Sequence, residues 1–511
     1  MSNPYDNQQT FYGDLHNHCG VSYAHGSLSD ALRNAREQLD FVSVTGHAHW
    51  PDMPEPNERI QYIIDFHKVG FAKLKKGWPD YLKGVRRMNK EGSFVVFPGF
   101  EIHFNSVGDR TIMYKDLKGE ILYADSIGQL EDWLGHLRQE GVDTMSFPHH
   151  IGYRTGTRGI DWKSFNPEFA PAMEFISMHG CSEGSENTRP FLHSMGGSDW
   201  ESTIQYGLSK GHVFGFLGNT DHHSAHPGSY GHGVTGVWAK DLTREAIWDA
   251  LYRRCSYALT GDRMQLKFSM NGSPMGAIAK PVQRRKGTID LQAGGAIDYV
   301  DVVKNNRLLK RFSQTDIPEP TKRSGWIHTL LTLELGWGER NKEVNWNARV
   351  ELEGGSIKRV EPRFRGLEVV SPVEGDDSKG FSYYRSKCKQ TSERSVTLKT
   401  ITASNPNNST NCSQGVCLEI KARKTGKVRL RLNRQNFEFS IRELMDGART
   451  GHLGGIDSPA FRLHRLPLEH EWKWNLEFTD KKDSEHDQYY VRVRQLNDQW
   501  AWSSPIFFTS P

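Results

Sequence analysis

The chain of 511 residues is poor in cysteine: it has six, at 19, 181, 255, 388, 412 and 417. They are too few and too irregularly spaced for a disulfide framework in so long a chain. Only Cys412 and Cys417 are close enough in sequence for a local bridge, and the thiols are otherwise expected to be reduced, as in a cytoplasmic protein. Long apolar runs are also missing. No window reaches the roughly 18 consecutive apolar residues of a membrane-spanning helix. The opening residues, MSNPYDNQQT, have neither the basic start nor the apolar stretch of a signal peptide. Charge of one sign is scarce as well: 65 Lys and Arg stand against 61 Asp and Glu, a net charge of +4, and the basic piece QRRKG at 283–287 is short. This leaves no electrostatic case for a nucleic acid or an anionic membrane as partner.

What is present is a globular composition, with 25% charged residues, 36% hydrophobic residues and 14 Trp, in a chain long enough for two or three domains. From residue 11 to about 262, short apolar runs alternate with helical patterns. The runs are FVSVT (41–45), FVVFPGFEI (94–102), TMSFP (144–148), MEFISM (173–178) and VFGFLGNT (213–220). Between them lie SLSDALRNAREQ (27–38), with Ser27 and Ser29 as N-cap candidates, IQYIIDFHKVGFAKL (60–74) and GQLEDWLGHLRQEG (128–141). Such alternation predicts an α/β domain with a parallel sheet or barrel. From residue 263 to 511 the pattern is of strands separated by Gly, Asn and Asp turns, as in QLKFSM, IDYVDVVKN, WNARVELEG, CLEIKARKTGKVRLRL and QYYVRVRQL, with one short helical candidate at SIRELMDG (440–447). An all-β accessory region of one or two sandwich-like units is expected there, with NPNNSTN (405–411) as an exposed loop.

Histidines and carboxylates cluster where the apolar runs end. FYGDLHNHCGVSYAHGSLSD supplies Asp14, His16, His18 and His25, and VSVTGHAHW supplies His47 and His49. FVVFPGFEIHF gives Glu101 and His103, MSFPHHIGY gives His149 and His150, and EFISMHGCSE gives His179 and Glu183. FGFLGNTDHHSAH gives Asp221, His222, His223 and His226. In a parallel barrel the carboxyl ends of all strands share one face, where such folds build their sites. A single strand-end histidine is commonly a capping or surface residue, but repetition at successive strand ends points to a shared metal site. Imidazole and carboxylate without thiolate clusters suit Zn, Mn or Fe in a hydrolytic centre rather than a structural Zn site.

DLHNH, His25 with SLSD, VTGHAH, GFEIHF, FPHH, ISMHG and NTDHH, in this order, resemble the polymerase and histidinol phosphatase (PHP) superfamily of metallohydrolases over about residues 11–262. Gly46 departs from the family, which commonly has Asp before the ligand His. The later half, with YALTGDRMQLKFSMNGSPMG and YYVRVRQLNDQWAWSSPIFF, is similar to the carbaryl-hydrolase-like branch. The resemblance implies a distorted (β/α)7 barrel followed by the β-rich region, and two to three divalent metal ions (Mn, Zn or Fe). One ion would take His16, His18, Glu101 and Asp221; a second would share Glu101 and add His149 and His179; a third would use His25, His47 and His223.

A water bridging the ions and deprotonated by them is then the expected nucleophile, so that neither GCSEG nor GGSDW need supply one, and Cys181 is read as packing. Glu101 would bridge two ions. His150 and His222 adjoin ligands and are the preferred candidates for proton transfer among the spare histidines, which also include His49, His103 and His226. Tyr153, Arg154 and Arg158 follow a ligand-bearing strand end and are expected to meet the substrate, a guanidinium gripping phosphate oxygens, together with His49 and His226. Trp50 and Trp200 are candidates for the pocket wall. The expected substrate is a small phosphoester, with a carbamate or carboxylic ester as the alternative. A binding module with a vestigial site is the reading of another class; a proofreading role beside a polymerase is disfavoured by the lack of a basic face.

Overall fold

In this computed structural model residues 3–191, 193–319, 324–336, 342–367, 385–402 and 413–509 are described. Cys412 and the 405–411 segment lie outside them. Cys19, Cys181, Cys255, Cys388 and Cys417 are free thiols.

The first half runs β1 (Gln9–Asp14), α1 (Leu28–Gln38), β2 (Phe41–His49), α2 (Gln61–Met88), β3 (Val95–Ile102), β4 (Arg110–Tyr114), α3 (Ile127–Gln139), β5 (Thr144–Pro148), β6 (Ala172–Ser177), β7 (Gly180–Cys181), α4 (Ile204–Ser209), β8 (Gly215–Gly218), β9 (Val234–Ala239), α5 (Arg244–Tyr252) and β10 (Ser256–Leu259). Of the two cap candidates, Ser27 caps α1, its hydroxyl accepting from the Asp30 amide, and Ser126 caps α3 in the same way through the Gln129 amide. β3 is buried along its whole length and β2 along all but its last residue, which is why their sequences are near-continuous apolar runs rather than alternating ones.

β1, β2 and β3 pair in parallel, as do β6 and β8. A ring of seven parallel strands is not what the ladders draw, however. β4 runs antiparallel to β3 and to β5, β9 antiparallel to β1 and β10, and β6, β7 and β8 form a separate small sheet. The physical reason lies in the connections: residues 103–109 between β3 and β4 are too few for the helical crossover that a parallel partner needs. The result is a mixed α/β fold with many strands and few helices.

Beyond residue 262 nearly all described elements are strands, including Gln265–Met270, Ile297–Lys304, Val344–Arg363, Gln414–Leu432 and Asp487–Gln495. The short helix Ile441–Asp446 is capped by Ser440. The strand Trp500–Ser503 pairs with β10, Tyr257 opposite Ser503, so the first sheet continues into the second half of the chain. An eight-stranded sheet there buries its own core, with Leu331, Val350, Leu398, Leu418 and Leu430 among its members. Among the described residues no helix is long and apolar enough to cross a membrane.

Candidate metal centre

The parallel strands deliver their carboxyl ends to one place. His16 and His18 follow β1, His47 lies near the end of β2, Glu101 is the penultimate residue of β3, His149 follows β5, His179 follows β6, and Asp221 and His223 follow β8. All eight are buried. Glu101 is central: its Oε2 is 3.3 Å from both His16 Nε2 and His18 Nε2 and 3.4 Å from His47 Nδ1, and its Oε1 is 3.1 Å from both His149 Nε2 and His103 Nδ1. Asp221 meets His18 Nε2 at 2.9 Å through Oδ1 and His179 Nε2 at 2.8 Å through Oδ2.

Four overlapping groups offer ligand atoms within 4.8 Å of one another: His16, His18 and Glu101; His18, His47 and His223; His47, Glu101 and His103; and Glu101, Asp109, His149 and His150. These groups differ from the sets the resemblance implies. His18, not His25, stands with His47 and His223. The bond from Gly20 N–H to the Gly26 carbonyl (2.6 Å) closes the loop before α1, and the His25 main-chain N–H is turned to the His223 carbonyl at 2.9 Å. His179 stands with Asp221 rather than with His149. His103, counted only as a spare histidine, and Asp109, not singled out at all, belong to the groups. Asp109 arrives because β4 is antiparallel: Ile102 pairs with Arg110, so the residue preceding β4 sits beside the carboxyl end of β3.

The far nitrogens of several imidazoles are fixed by partners. His16 Nδ1 donates to Glu174 Oε2 (2.7 Å), His179 Nδ1 meets the Tyr153 hydroxyl (2.7 Å), and His223 Nδ1 donates to the Asp221 carbonyl (2.7 Å). His47 Nδ1, which faces Glu101, also meets the Tyr23 hydroxyl (3.0 Å). Glu174 is held in turn by Asn219 Nδ2 (3.3 Å) and by the His150 amide on Oε1 (3.1 Å). Such outer partners set the tautomer and aim the remaining lone pair inward. The inward nitrogens crowd: His16 and His18 Nε2 are 3.2 Å apart, and His47 and His223 Nε2 are 3.3 Å apart. Neutral imidazoles cannot all supply protons to such contacts, and lone pairs facing each other at that range repel unless a cation lies between them. The donor set therefore fits divalent metal ions.

The electrostatics agree. Burial works against ionising Glu101, yet the neighbouring His149, His103 and His47 hold its carboxyl well below the usual range. Burial also opposes the charge on Asp221, which His16 and His179 hold ionised. Burial pulls His47, His149, His150 and His223 down, keeping them neutral and able to ligate. His16 alone among these is held up: burial lowers it, but Asp221 and Glu174 outweigh that. Asp14, whose carboxyl burial pushes up, faces away from the groups and braces the loop after β8 by accepting from Thr220 Oγ1 (2.5 Å) and the Gly228 amide (2.9 Å). Three residues here, His150 (φ 31°), Arg158 (φ 65°) and Asp221 (φ 53°), adopt left-handed backbone, a strained conformation that concentrates at functional sites.

A cavity of about 230 Å³ opens onto this cluster, lined by His47, Glu101, His150, Arg158, His179, Asp221 and His223 on the inner side and by Trp50, Pro54, Tyr62, Ile63, Phe66 and Met195 further out. Arg158 donates through Nε to Asp109 Oδ2 (2.6 Å) and lies over the Trp50 ring at 5.5 Å. Other expected contacts fall outside the lining. Tyr153 is buried behind His179, its hydroxyl on Nδ1 of that ring. Arg154 is exposed. His49 lies beside Asp125 (3.9 Å) and Tyr123. His222 and His226 turn the other way, their rings 6.1 Å apart, and pack under Gly366, where a Cβ would meet His222 Cε1 and His226 Cβ at 2.5 Å; the left-handed Asp221 reverses the chain and sends successive side chains to opposite sides. Trp200 is 46% exposed. The residues the sequence reading missed are Asp109, Glu174, Tyr23, His67 and His193; only Glu174, a carboxylate inside an apolar run, carries a signal that could have found it. A larger crevice of about 710 Å³ lies elsewhere, with Arg363, Arg365 and Glu334 in its lining. Arg363 is paired there with Asp262 (3.0 Å) and Glu361 (3.1 Å), and none of the imidazoles of the candidate metal centre lines it.

Comparison with known proteins gives partial matches. The model of a family described as protein of unknown function DUF3604 matches residues 219–275, which include Asp221 and His223. An uncharacterised protein of Chlamydia muridarum (strain MoPn / Nigg) is 29% identical over 171 residues, 30% of this chain and 28% of that protein. A Chlamydia pneumoniae protein is 28% identical over 186 residues, 33% of this chain and 30% of that protein. The match thus spans less than a third of the length of either relative. Among solved structures, a two-domain Bacteroides vulgatus protein described as containing a predicted PHP-like metal-dependent phosphoesterase is similar at 15% identity with a TM-score of 0.31, over 60% of this chain and 86% of that one.

Proposed function

We propose that the chain is a metal-dependent hydrolase of the PHP type acting on a small ester, with phosphoesters the favoured class. The observation that carries the reading is the convergence of His16, His18, His47, Glu101, His149, His179, Asp221 and His223 into one network of contacts within hydrogen-bond range, at the inner end of a cavity. These side chains, with His103 and Asp109 beside them, would hold two or three divalent cations. Bound cations supply Lewis acidity there, making water more acidic and offsetting negative charge on ester oxygens.

The chain's own residues do the rest. Glu174 and Tyr153 keep His16 and His179 aimed inward. Arg158 is fixed by Asp109 and offers the remaining face of its guanidinium to the cavity, while His150 lines it from the opposite strand end. Trp50, Tyr62, Phe66 and Met195 give the outer half an apolar wall.

One observation favours a carbamate or carboxylic ester as the second reading: among the described residues Arg158 is the only Arg or Lys in the lining, and its charge is already balanced by Asp109. Turnover of 4-nitrophenyl phosphate, bis(4-nitrophenyl) phosphate and 4-nitrophenyl acetate by protein loaded with Mn or Zn separates the readings. Wild type turning over a phosphoester while His16→Ala and Glu101→Ala do not is the expected result. Preference for the acetate supports the second reading, and equal weak rates in all three proteins would overturn hydrolysis in favour of a binding module.

A further inference from the structure

His193 follows no ligand-bearing strand end, yet it lines the cavity together with Ser194 and Met195. Its ring lies on that of His179, centroids 4.6 Å apart and planes inclined by 36°. Met195, two residues on, is 3.2 Å from Arg158 Nη1 through its sulfur, so this stretch closes the cavity against the guanidinium. The His193 Nδ1 accepts the Met195 main-chain N–H at 3.3 Å, with the Ser194 hydroxyl 3.4 Å from the same nitrogen. An amide N–H can only donate, so Nδ1 carries the lone pair and the one proton of the neutral ring sits on Nε2. Nε2 meets no hydrogen-bond acceptor among the described residues, and it is not among the sealed unpartnered atoms of the structure.

Several other polar groups around the cavity are committed to protein partners. His67 donates Nδ1–H to the Ile63 carbonyl (2.7 Å), and its buried Nε2 is an acceptor. Tyr23 faces His47, Arg158 serves Asp109, and Asn105 donates to the Asp52 carbonyl at 2.9 Å. His193 thus presents a fixed, neutral N–H to the space in front of His179.

We propose that His193 is a substrate-contacting residue whose Nε2–H donates to an oxygen of the bound ester, an inference that rests on the hydrolase reading above. The residue orients the ester rather than holding a cation, since its Nδ1 is occupied and its Nε2 bears a proton. A donor of this kind gains most when the acceptor oxygen becomes more negative during the reaction.

The test uses the full chain loaded with Mn, bis(4-nitrophenyl) phosphate and 4-nitrophenyl acetate as substrates, and phenylphosphonate as a ligand that is not turned over, its affinity read by calorimetry. His193→Ala is expected to lower kcat/KM and phenylphosphonate affinity by about tenfold, the size of one hydrogen bond, with metal content unchanged. His193→Gln, whose amide nitrogen reaches as far as Nε2, is expected to recover most of both. Unchanged kcat/KM and affinity in His193→Ala would overturn the inference and leave the hydrolase reading intact. Equal losses in both variants accompanied by metal loss would also overturn it, marking His193 as a prop for His179. Wild-type protein that holds its metal and binds phenylphosphonate through His193 but turns over neither ester would overturn the hydrolase reading while sustaining the contact.

Discussion

Glu174→Gln changes the shape of one buried side chain in β6 hardly at all, and is expected to cost the centre much of its cation affinity. The carboxylate accepts from His16 Nδ1, Asn219 Nδ2 and the His150 amide, three donors and no acceptor. A Gln amide must turn its NH2 either towards His16 and Asn219 or towards the His150 N–H, so one donor meets another in both orientations. Facing His16, it forces the imidazole proton onto Nε2, the nitrogen that points to Glu101 and His18. Outer partners of metal-binding histidines are typically worth about 10–100-fold in affinity, or roughly 1.4–2.7 kcal/mol. The unsatisfied donor costs the fold a further ~1–3 kcal/mol. Titration of chelator-stripped wild type and Glu174→Gln with Zn, beside a urea melt of each, measures the two effects separately. Unchanged Zn affinity in a folded variant would refute the claim that Glu174 aims His16.

Glu101→Ala removes the oxygen pair that five imidazoles approach; metal content should fall and ester turnover should drop by more than the roughly 100-fold of an outer partner, as read by elemental analysis and initial rates. In the second half of the chain, burial raises the Glu334 carboxyl, but hydrogen bonds from His464 and Ser413 outweigh it and hold the group at about 2 against a usual 4.5. Because the folded value is depressed, the stabilisation, roughly 3 kcal/mol at most, is present above about pH 4.5 and fades as pH falls towards 2. The stability difference between wild type and Glu334→Gln should shrink over that window in urea melts, and a difference independent of pH would contradict the assignment.

Strand ends were the legible part of the site. His16, His47, Glu101, His149, His179 and Asp221 each follow or close an apolar run, and runs buried on both faces are visible as such in sequence. β4 was not legible: DRTIMY is short and carries a charge, and its reversed direction, which brings in Asp109, depends on the brevity of residues 103–109. The distorted (β/α)7 barrel that the resemblance implies is not what the ladders show, for the same reason. Glu174 stands out as a carboxylate inside the apolar run of β6, but which imidazole it serves is set by its partners in space. His193 lies far from any strand end and enters the cavity by loop path alone. His222 and His226 misled because adjacency in sequence to Asp221 and His223 does not survive a left-handed residue, which sends neighbours to opposite sides. In the second half, the alternation in WNARVELEG and KVRLRL announced strands, whereas the pairing of Trp500–Ser503 with β10 joins residues too distant in sequence for any local pattern to signal.

The central claim is that these imidazoles and carboxylates hold cations together. Elemental analysis of full-length protein saturated with Mn or Zn and then freed of loose metal by gel filtration, set beside Glu101→Ala and His16→Ala treated identically, tests it most directly. The account predicts two or three ions per wild-type chain and a clear deficit in both folded variants. Wild-type protein that emerges with no more metal than the variants would contradict it.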